Sequence, residues 1–435
     1  MPQRRIQDFK NGKGDEIFEL VNMVKEKPDI LTASQVHGLV LKVGMLAHLP
    51  TVTTFLIIYS RSKNLSSSLT LFAEIINKDI VTWNAIMTAC IENNFFGFAV
   101  NIFAEMVNEG KQFDSATLVI VISALSNMRE LRKGLVVHCL SMKMGMLLDS
   151  ILGNALIDFY AKCSHLSSSE CVFLETECKD VVSWNSVISG CLYNGHPEKS
   201  LLYFKQMATL EKGADSVGLS CAIAASACLD EFGCGQAIHG WGIKLGYEER
   251  RHLSVANSLI SLYSQSGDAD AAEYIFNKME YKDIITWNSM INGFALNGKI
   301  SDAFDALHEM QFIRTTEPDA VTLISIIPLV AEFMLLRDGK AMHAFTMRRD
   351  MGAELSMMNA LMDMYFNCGR VKDAEQLFLN MPKKDKVSWN TIISGYSQNG
   401  WCREAQSLLK KFHSGNSECS LSTLLGILPA CDSPT

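Results

Sequence analysis

The sequence predicts an all-α protein, an α-solenoid in which helix-turn-helix repeats stack into a right-handed superhelix. The first observation is a Trp-Asn pair that recurs at intervals of 101, 103 and 102 residues: Trp83-Asn84, Trp184-Asn185, Trp287-Asn288 and Trp389-Asn390. The second is that a Tyr column and a His column keep nearly the same period at other phases: Tyr59, Tyr160, Tyr263, Tyr365, His37, His138, His239 and His343. One period therefore contains three distinguishable repeats.

The three repeat types tile residues 14–420 without a gap, which gives twelve motifs. Motifs with the His run over 14–48, 115–149, 216–252 and 320–354. Motifs with the Tyr run over 49–79, 150–180, 253–283 and 355–385. Motifs with Trp-Asn run over 80–114, 181–215, 284–319 and 386–420. Residues 1–13 are interpreted as the remnant of a preceding repeat and 421–435 as a truncated motif, so little is left for a separate domain.

Each motif is predicted to form two short helices. In 181–215, apolar residues between Trp184 and Leu192 recur at helical spacing, and Asn194-Gly195 then interrupts the pattern. Pro197 suits the first turn of the second helix, where its missing N–H has no intrahelical partner to lose. Because one such helix pair cannot bury its apolar face alone, neighbouring pairs must stack.

The composition fits a chain with a large core. Hydrophobic residues make up 48% and charged residues 20% of the sequence, and no apolar run approaches the length of a membrane span. Thirteen cysteines without any C-x-x-C pair predict neither a zinc knuckle nor a redox pair. Cys191, Cys221 and Cys368 fall on apolar faces, which favours reduced, buried thiols.

Several stretches resemble the plant pentatricopeptide repeat proteins of the PLS subclass. They are DVVSWNSVISGCLYNGHPEKSLLYFKQM at 180–207, NALIDFYAKC at 154–163, GQAIHGWGIKLGY at 235–247 and DKVSWNTIISGYSQNG at 385–400. In the terms of that family the Trp-Asn motifs are P, the Tyr motifs S and the His motifs L. The resemblance implies an α-solenoid that binds single-stranded organellar RNA, one nucleotide per P or S motif. It also implies a role in C-to-U editing or other RNA processing in the mitochondrion, or alternatively the plastid, with editing-complex proteins as further partners.

In that family the fifth and the last residue of each motif choose the base. The P motifs pair Asn84 with Asp114, Asn185 with Asp215, Asn288 with Asp319 and Asn390 with Ser420. The S motifs pair Thr53 with Asp79, Asn154 with Asp180, Asn257 with Asp283 and Asn359 with Asp385. An Asn amide carries a donor and an acceptor and can match a pyrimidine edge, whereas a carboxylate only accepts. By resemblance the pairs read G-U-n-U-U-n-U-U-n-U-C, with the L motifs, whose fifth residues include Val119, Ser220 and Ile324, left open.

Each of these residues also has a structural alternative. An Asn or an Asp near a helix start commonly caps the helix, but caps tolerate several residue types, and Asn at seven of eight fifth positions favours base reading. The aliphatic second residues of the P motifs are expected to pack against base faces, with ordinary core as the alternative: Val81, Val182, Ile285 and Val387. The Trp and His columns are expected to be structural, since one His per period is too sparse for a shared metal site. Neither a metal nor a cofactor is predicted.

The net charge of −8 argues against binding that depends mainly on phosphate neutralisation. Affinity is then expected from base edges and from local basic residues: Arg129, Arg132, Lys133, Lys244, Arg348 and Arg349. The acidic balance also leaves open a protein-protein interaction scaffold without RNA binding. Against that alternative, the motif lengths and the missing Trp, Leu-Gly and Tyr pattern differ from tetratricopeptide repeats.

No enzymatic activity is predicted. A nucleobase deaminase needs H-x-E followed by P-C-x-x-C. His196-Pro197-Glu198 matches only the first half, and the second half occurs nowhere in the sequence. The acidic residues Asp8, Asp15 and Glu16 are unlike an organellar targeting peptide, and 421–431 opens a motif that breaks off, so a fragment of a longer protein is expected.

Overall fold

The computed structural model describes residues 30–42, 48–210, 213–247, 252–313, 316–349 and 354–414. Over these ranges the chain forms 23 α-helices and one short 3-10 helix, and no β-strand. The predicted all-α class is therefore confirmed. Both terminal remnants, most of motif 14–48 and Ser420 lie outside the described ranges.

The described residues divide into two compact units, one ending at Gly218 and the other beginning at Leu219. The first unit contains α1 (Ile30–Lys42), α2 (Leu49–Arg61), α3 (Leu65–Glu74), α4 (Ile80–Glu92), α5 (Phe96–Asn108), α6 (Ser115–Met128), α7 (Leu131–Lys143), α8 (Ser150–Lys162), α9 (Leu166–Glu175), α10 (Val181–Tyr193) and α11 (Pro197–Ala208). The helix α12 (Ser216–Cys228) begins at the end of that unit and continues into the second.

The second unit continues with α13 (Phe232–Lys244), α14 (Leu253–Gln265), α15 (Ala269–Lys278), α16 (Ile284–Leu296), α17 (Ile300–Ile313), α18 (Ala320–Glu332), α19 (Leu336–Arg348), α20 (Leu355–Asn367), α21 (Val371–Asn380), α22 (Lys386–Gln398) and α23 (Cys402–Ser414). From α2 onward, every even-numbered helix begins at the first residue of a motif delimited from the sequence. We call these the first helices and their partners the second helices.

Three packing relations repeat within each unit. A first helix contacts its own second helix, and it also contacts the first helix of the next motif, as α4 does with α5 and α6, and α16 with α17 and α18. Second helices contact the first helix that follows them, as α3 contacts α4. First helices therefore form one layer and second helices another, with the buried apolar side chains between them.

The Trp column anchors the contact between an S motif and the next P motif. Trp83 and Trp287 are fully buried and Trp184 nearly so. Each indole meets the edge of a Phe on the preceding second helix, with ring centroids 4.8–5.0 Å apart and planes at 74–77°; the Phe residues are Phe72, Phe173, Phe276 and Phe378. This edge-to-face geometry is the favoured one for aromatic pairs. The prediction that the Trp residues are packing anchors is confirmed.

The His and Tyr columns meet at the contact between an L motif and the next S motif. The imidazole Nδ1 and the phenol oxygen lie 2.7–3.0 Å apart in all four pairs: His37–Tyr59, His138–Tyr160, His239–Tyr263 and His343–Tyr365. Burial lowers the pKa of His138 and His343, although the nearby carboxylates of Glu175 and Asp373 act in the opposite direction. No group of His, Cys, Asp and Glu within the described ranges could hold a metal ion. The His column is structural, as expected.

Close helix approach depends on a glycine at the junction between S and P motifs. A Cβ on Gly190 in α10 would stand 2.8 Å from the Cβ of Ala161 in α8, closer than two such carbons can come. Glycine is therefore required where α8 and α10 touch.

The cysteines follow the prediction only in part. Cys191 is completely buried, and burial raises the pKa of its thiol to about 12. Cys221 and Cys368 are only partly buried, so the expectation of buried thiols was wrong for these two. Among the helices in the described part of the chain, none has the length and apolar character that crossing a membrane requires.

Candidate nucleic-acid interface

The last residue of a motif caps the first helix of the next one. Six carboxylates accept the backbone N–H of the third residue of that helix at 2.7–2.9 Å: Asp79, Asp114, Asp180, Asp283, Asp319 and Asp385. Asp215 accepts from the backbone of Gly218 at 2.9 Å and of Val217 at 3.1 Å. The capping alternative is thus correct for the Asp column.

The same carboxylates also hold the Asn column. The Nδ2 of Asn185 donates to Asp215 at 2.9 and 3.0 Å, and that of Asn288 donates to Asp319 at 3.1 Å. Asn154 donates to Asp180 at 3.2 Å. The amides of Asn84 and Asn359 lie near Asp114 and Asp385 and help to lower the pKa of those carboxyls. Three fifth-and-last pairs from the sequence are therefore hydrogen-bonded and two more lie close together, and these Asn residues lie inside first helices rather than at caps.

Two other pairs lack this contact. The Thr53 hydroxyl donates to the carbonyl of Leu49 at 2.8 Å, although Thr53 and Asp79 line the same groove. The Asp283 carboxylate accepts from the backbone and hydroxyl of Thr286, and the amide oxygen of Asn257 is buried without a partner. Asn390 lies on α22, but its predicted partner Ser420 is outside the described ranges.

Hydrogen bonding lowers the pKa of several of these carboxyl groups, among them Asp180, Asp319 and Asp385. Burial alone would raise the pKa of Asp180 and Asp319. The hydrogen bonds from the third residue of the next helix and from the Asn amide outweigh it, and the pKa of each carboxyl lies below its usual value. For Asp385, the backbone hydrogen bond from Ser388 is the largest cause of its lowered pKa. An ionised carboxylate only accepts, so it fixes the neighbouring amide by its NH₂ group.

The aliphatic second residues do not belong to the core. Val81, Val182, Ile285 and Val387 are exposed to 58%, 56%, 59% and 56%. The core alternative is therefore wrong for these four side chains, which stand in solvent one turn before the fifth residue.

These residues line open grooves on the first-helix layer. Thr53, Asp79 and Val81 share a groove of about 400 Å³ with Pro50. A second groove of about 510 Å³ contains Asn288 and Asp319, with Ile285 and Val321 among its apolar residues. We call such a surface a reading groove: the second, fifth and last residues of one motif, with the second residue of the next. The polar groups of a reading groove could bond a base edge while the aliphatic groups contact its faces.

Sequence reasoning missed several residues that share these positions. Ile151, Val217 and Val321 are second residues of S and L motifs and are also exposed, so the aliphatic column extends beyond the P motifs. The lysine just before the capping Asp was also missed. Its ammonium lies 4.8–5.3 Å from the Phe ring that packs on the Trp, and it donates to a nearby backbone carbonyl; these residues are Lys78, Lys179, Lys282 and Lys384. The aliphatic second residue and the lysine before the Asp each occupy a fixed position in the sequence repeat, and that regularity was the signal that could have identified them.

The basic residues named from the sequence lie elsewhere. Arg132, Lys133, Lys244 and Arg348 are on second helices. Arg129, at the end of α6, donates to the Tyr193 hydroxyl, and Arg349, at the end of α19, pairs with Glu317. None of these six residues lines either of the two grooves described above.

Comparison with known proteins agrees with this architecture. The PPR repeat family matches residues 78–127 and 282–329, and the PPR repeat itself matches 182–210, 254–284, 356–385 and 387–416. The maize pentatricopeptide repeat protein PPR10 has a similar crystal structure, with a TM-score of 0.58 and 20% identity over 96% of this chain and 70% of that chain. That likeness supports the solenoid fold.

Curated relatives from Arabidopsis thaliana match nearly the whole chain. A mitochondrial pentatricopeptide repeat-containing protein is 43% identical over 405 residues, which cover 92% of this chain and 43% of the relative. A chloroplastic one is 30% identical over 416 residues, covering 95% of this chain and 51% of the relative. The chain thus spans about half the length of these relatives. With repeats matched at the phase of the Trp-Asn and Tyr columns, the chain belongs to the pentatricopeptide repeat family.

Proposed function

We propose that this chain is a sequence-specific single-stranded RNA-binding protein of the PLS subclass that reads one base per P or S motif. The observation that supports this proposal most directly is the set of three Asn amides, on Asn154, Asn185 and Asn288, each held by the carboxylate at the end of its own motif. Exposed aliphatic side chains stand beside them. A repeated polar group next to a repeated exposed apolar group suits successive bases of one strand.

The chemistry of a reading groove favours an unpaired pyrimidine. One Nδ2 hydrogen of Asn288 goes to Asp319, which leaves the other hydrogen for an acceptor on the base. Ile285 and Val321 line the same groove and offer apolar contact to the base faces. In a duplex the Watson–Crick edges are already occupied, so only a single strand can be read in this way.

The proposed target is G-U-n-U-U-n-U-U-n-U-C, from the motif that begins at residue 49 to the motif that ends at residue 420. Thr53 takes guanine, the Asn and Asp pairs take uracil, and Asn390 with Ser420 takes cytosine. We further propose a mitochondrial location, since the relative with 43% identity is named mitochondrial; the plastid is the alternative, since other relatives are named chloroplastic. The protein would act there as a non-enzymatic recognition factor in C-to-U editing or other RNA processing, with editing-complex proteins as partners.

Fluorescence anisotropy with a labelled RNA of this pattern tests the proposal. The matched strand should bind more tightly than its complement, and duplex formation should abolish binding. Exchanging Asn185 for Thr should weaken binding to the uracil target by about 1–3 kcal/mol and shift preference at that nucleotide toward guanine. Asn127→Thr is the matched control, because the Asn127 amide donates only to the Ser123 carbonyl on an exposed part of α6.

Equal affinity for the strand and its complement would overturn the proposal. The net charge of −8 gives weight to the alternative, a scaffold that binds protein segments on the first-helix layer. A peptide that binds this layer, together with the absence of RNA binding, would establish that alternative.

A further inference from the structure

A hydroxyl from the following motif completes two of the reading grooves. The Ser183 hydroxyl lies within donating distance of two acceptors, the amide oxygen of Asn154 at 2.6 Å and the Asp180 carboxylate at 2.9 Å, and its oxygen accepts the backbone N–H of Asp180 at 3.3 Å. The equivalent Thr322 hydroxyl lies 2.6 Å from the amide oxygen of Asn288 and 2.9 Å from the Asp319 carboxylate, and it accepts the backbone N–H of Asp319 at 3.1 Å. In both grooves the amide oxygen is the nearer acceptor. Together with the bond from the Asn amide to the Asp carboxylate, these contacts close a ring of hydrogen bonds through three residues.

The groove of Asn185 lacks the hydroxyl group. Gly218 stands at the place of Ser183 and Thr322, as the third residue of the next first helix. The amide oxygen of Asn185 is buried there without a hydrogen-bond partner. A Cβ on Gly218 would come within 3.0 Å of this oxygen, so a side chain at position 218 would point at the vacant acceptor.

In three further grooves the hydroxyl is present but is bonded to the carboxylate alone. The hydroxyls of Thr117, Thr286 and Ser388 donate to the capping Asp at 2.7–2.8 Å. The amide oxygens of Asn84, Asn257 and Asn359 are buried without a partner. A hydroxyl has one proton, so where it reaches both the amide oxygen and the carboxylate it can satisfy only one of them at a time.

We propose that the third-residue hydroxyl is a positioning residue that sets how strictly the neighbouring Asn chooses its base. The oxygen and nitrogen ends of an Asn amide have nearly the same shape, and a flip exchanges donor for acceptor at the base edge. The carboxylate can bond only the nitrogen end. The hydroxyl proton can bond only the oxygen end, and with both ends held the amide presents one face to the base.

This inference rests on the proposed RNA binding. It ranks the motifs by how strictly each Asn chooses its base. Asn154 and Asn288, whose amides are held at both ends, read their nucleotides most strictly. Asn185 reads its nucleotide less strictly, because only its nitrogen end is held.

The experiment measures the affinity for four RNAs that differ only at the nucleotide of Asn288. The replacement Thr322→Val keeps the shape of the side chain and removes the hydroxyl. It should lower the preference for uracil at that nucleotide by roughly two- to tenfold, the range expected for one hydrogen bond. Thr322→Ser restores the hydroxyl and should restore the preference. Selectivity at the nucleotide of Asn154 should stay as in the wild type, which a general loss of folding would not allow.

The reciprocal experiment adds a hydroxyl at position 218. Gly218→Ser should raise the uracil preference at the nucleotide of Asn185 by roughly two- to tenfold. Gly218→Ala, which adds the Cβ without the hydroxyl, should leave the preference unchanged.

The outcomes separate the two proposals. If the wild type shows no base preference at any of these nucleotides, RNA reading itself is overturned and this inference falls with it. If the wild type prefers uracil but Thr322→Val keeps that preference, or Gly218→Ala raises it as much as Gly218→Ser, the positioning role is wrong and RNA reading stands.

Discussion

Replacing Trp287 with Ala tests the inter-repeat packing most directly. Trp287 is 1% exposed, and its indole meets Phe276 of the preceding motif at 4.8 Å with the planes at 77°. Emptying such a site leaves a cavity between α15 and α16. The expected loss of unfolding free energy is about 3–5 kcal/mol, the usual cost of removing a buried aromatic side chain.

Part of this loss belongs to the aromatic pair itself. Edge-to-face pairs add about 0.5–1.5 kcal/mol beyond the burial of their surface. A double-mutant cycle with Phe276→Leu should therefore give a coupling energy in that range. Trp401 is the matched control, because it is 37% exposed and stacks only on Tyr396, so Trp401→Ala should cost far less than Trp287→Ala.

Hydrogen exchange combined with denaturant titration is the appropriate assay. Since each repeat contacts only its neighbours, amides of α14 to α17 should lose protection in Trp287→Ala while α4 to α9 keep theirs. Equal costs for Trp287→Ala and Trp401→Ala would refute the packing argument. A uniform loss of protection along the chain would refute the local stability of the repeats.

Three further outcomes follow from the same contacts. Burial holds the pKa of His343 in the folded chain below its ordinary value of 6.5. At pH values between the folded and the unfolded pKa, the unfolded chain binds more protons than the folded chain. The melting temperature should therefore fall as the pH drops through that range, and less so in His343→Gln. Gly190→Ala should cost about 1–3 kcal/mol in unfolding free energy because its Cβ would meet that of Ala161, while Gly240→Ala, with open space around it, should be neutral or stabilising. Lys282→Ala should lower stability and leave the salt dependence of RNA binding unchanged, because Lys282 lies over Phe276; a smaller salt slope would assign it to phosphate instead.

Most of the fold could be predicted because the signals that start helices recur at fixed places. The Asp before α10, Asp180, caps the helix, and the apolar spacing after it is helical over the same residues that the structure shows. The fifth-and-last pairs could also be named, because the resemblance to pentatricopeptide repeat proteins singles out those two positions of each motif. The period does not show which columns of residues face each other in the fold. His138 and Tyr160 recur together in sequence, yet only packing of α7 against α8 shows that they are hydrogen-bonded.

The basic residues show a second limit of sequence reasoning. Charge counts treat Lys282 and Arg132 alike, but Lys282 stacks on a core Phe while Arg132 lies on a second helix. A lysine with a long apolar stem can cover an aromatic ring and keep its ammonium in water. A count of basic residues therefore does not separate the lysines that serve the repeat contacts from basic residues elsewhere on the chain.

In the proposed RNA binding, the capping carboxylate links folding to recognition. Asp319 ends one motif, begins the helix α18 of the next, and holds the amide of Asn288 in the first. The hydroxyl that bonds the other end of that amide, on Thr322, also belongs to the next motif. Under the proposed base reading, a base in this groove would contact the residues of two motifs, and the unit of recognition would be the junction between neighbours rather than a single repeat. The helix cap explains why Asp recurs as the last residue of the motif. The contact between the Asn amide and this carboxylate explains why Asn recurs as the fifth residue, where it caps no helix.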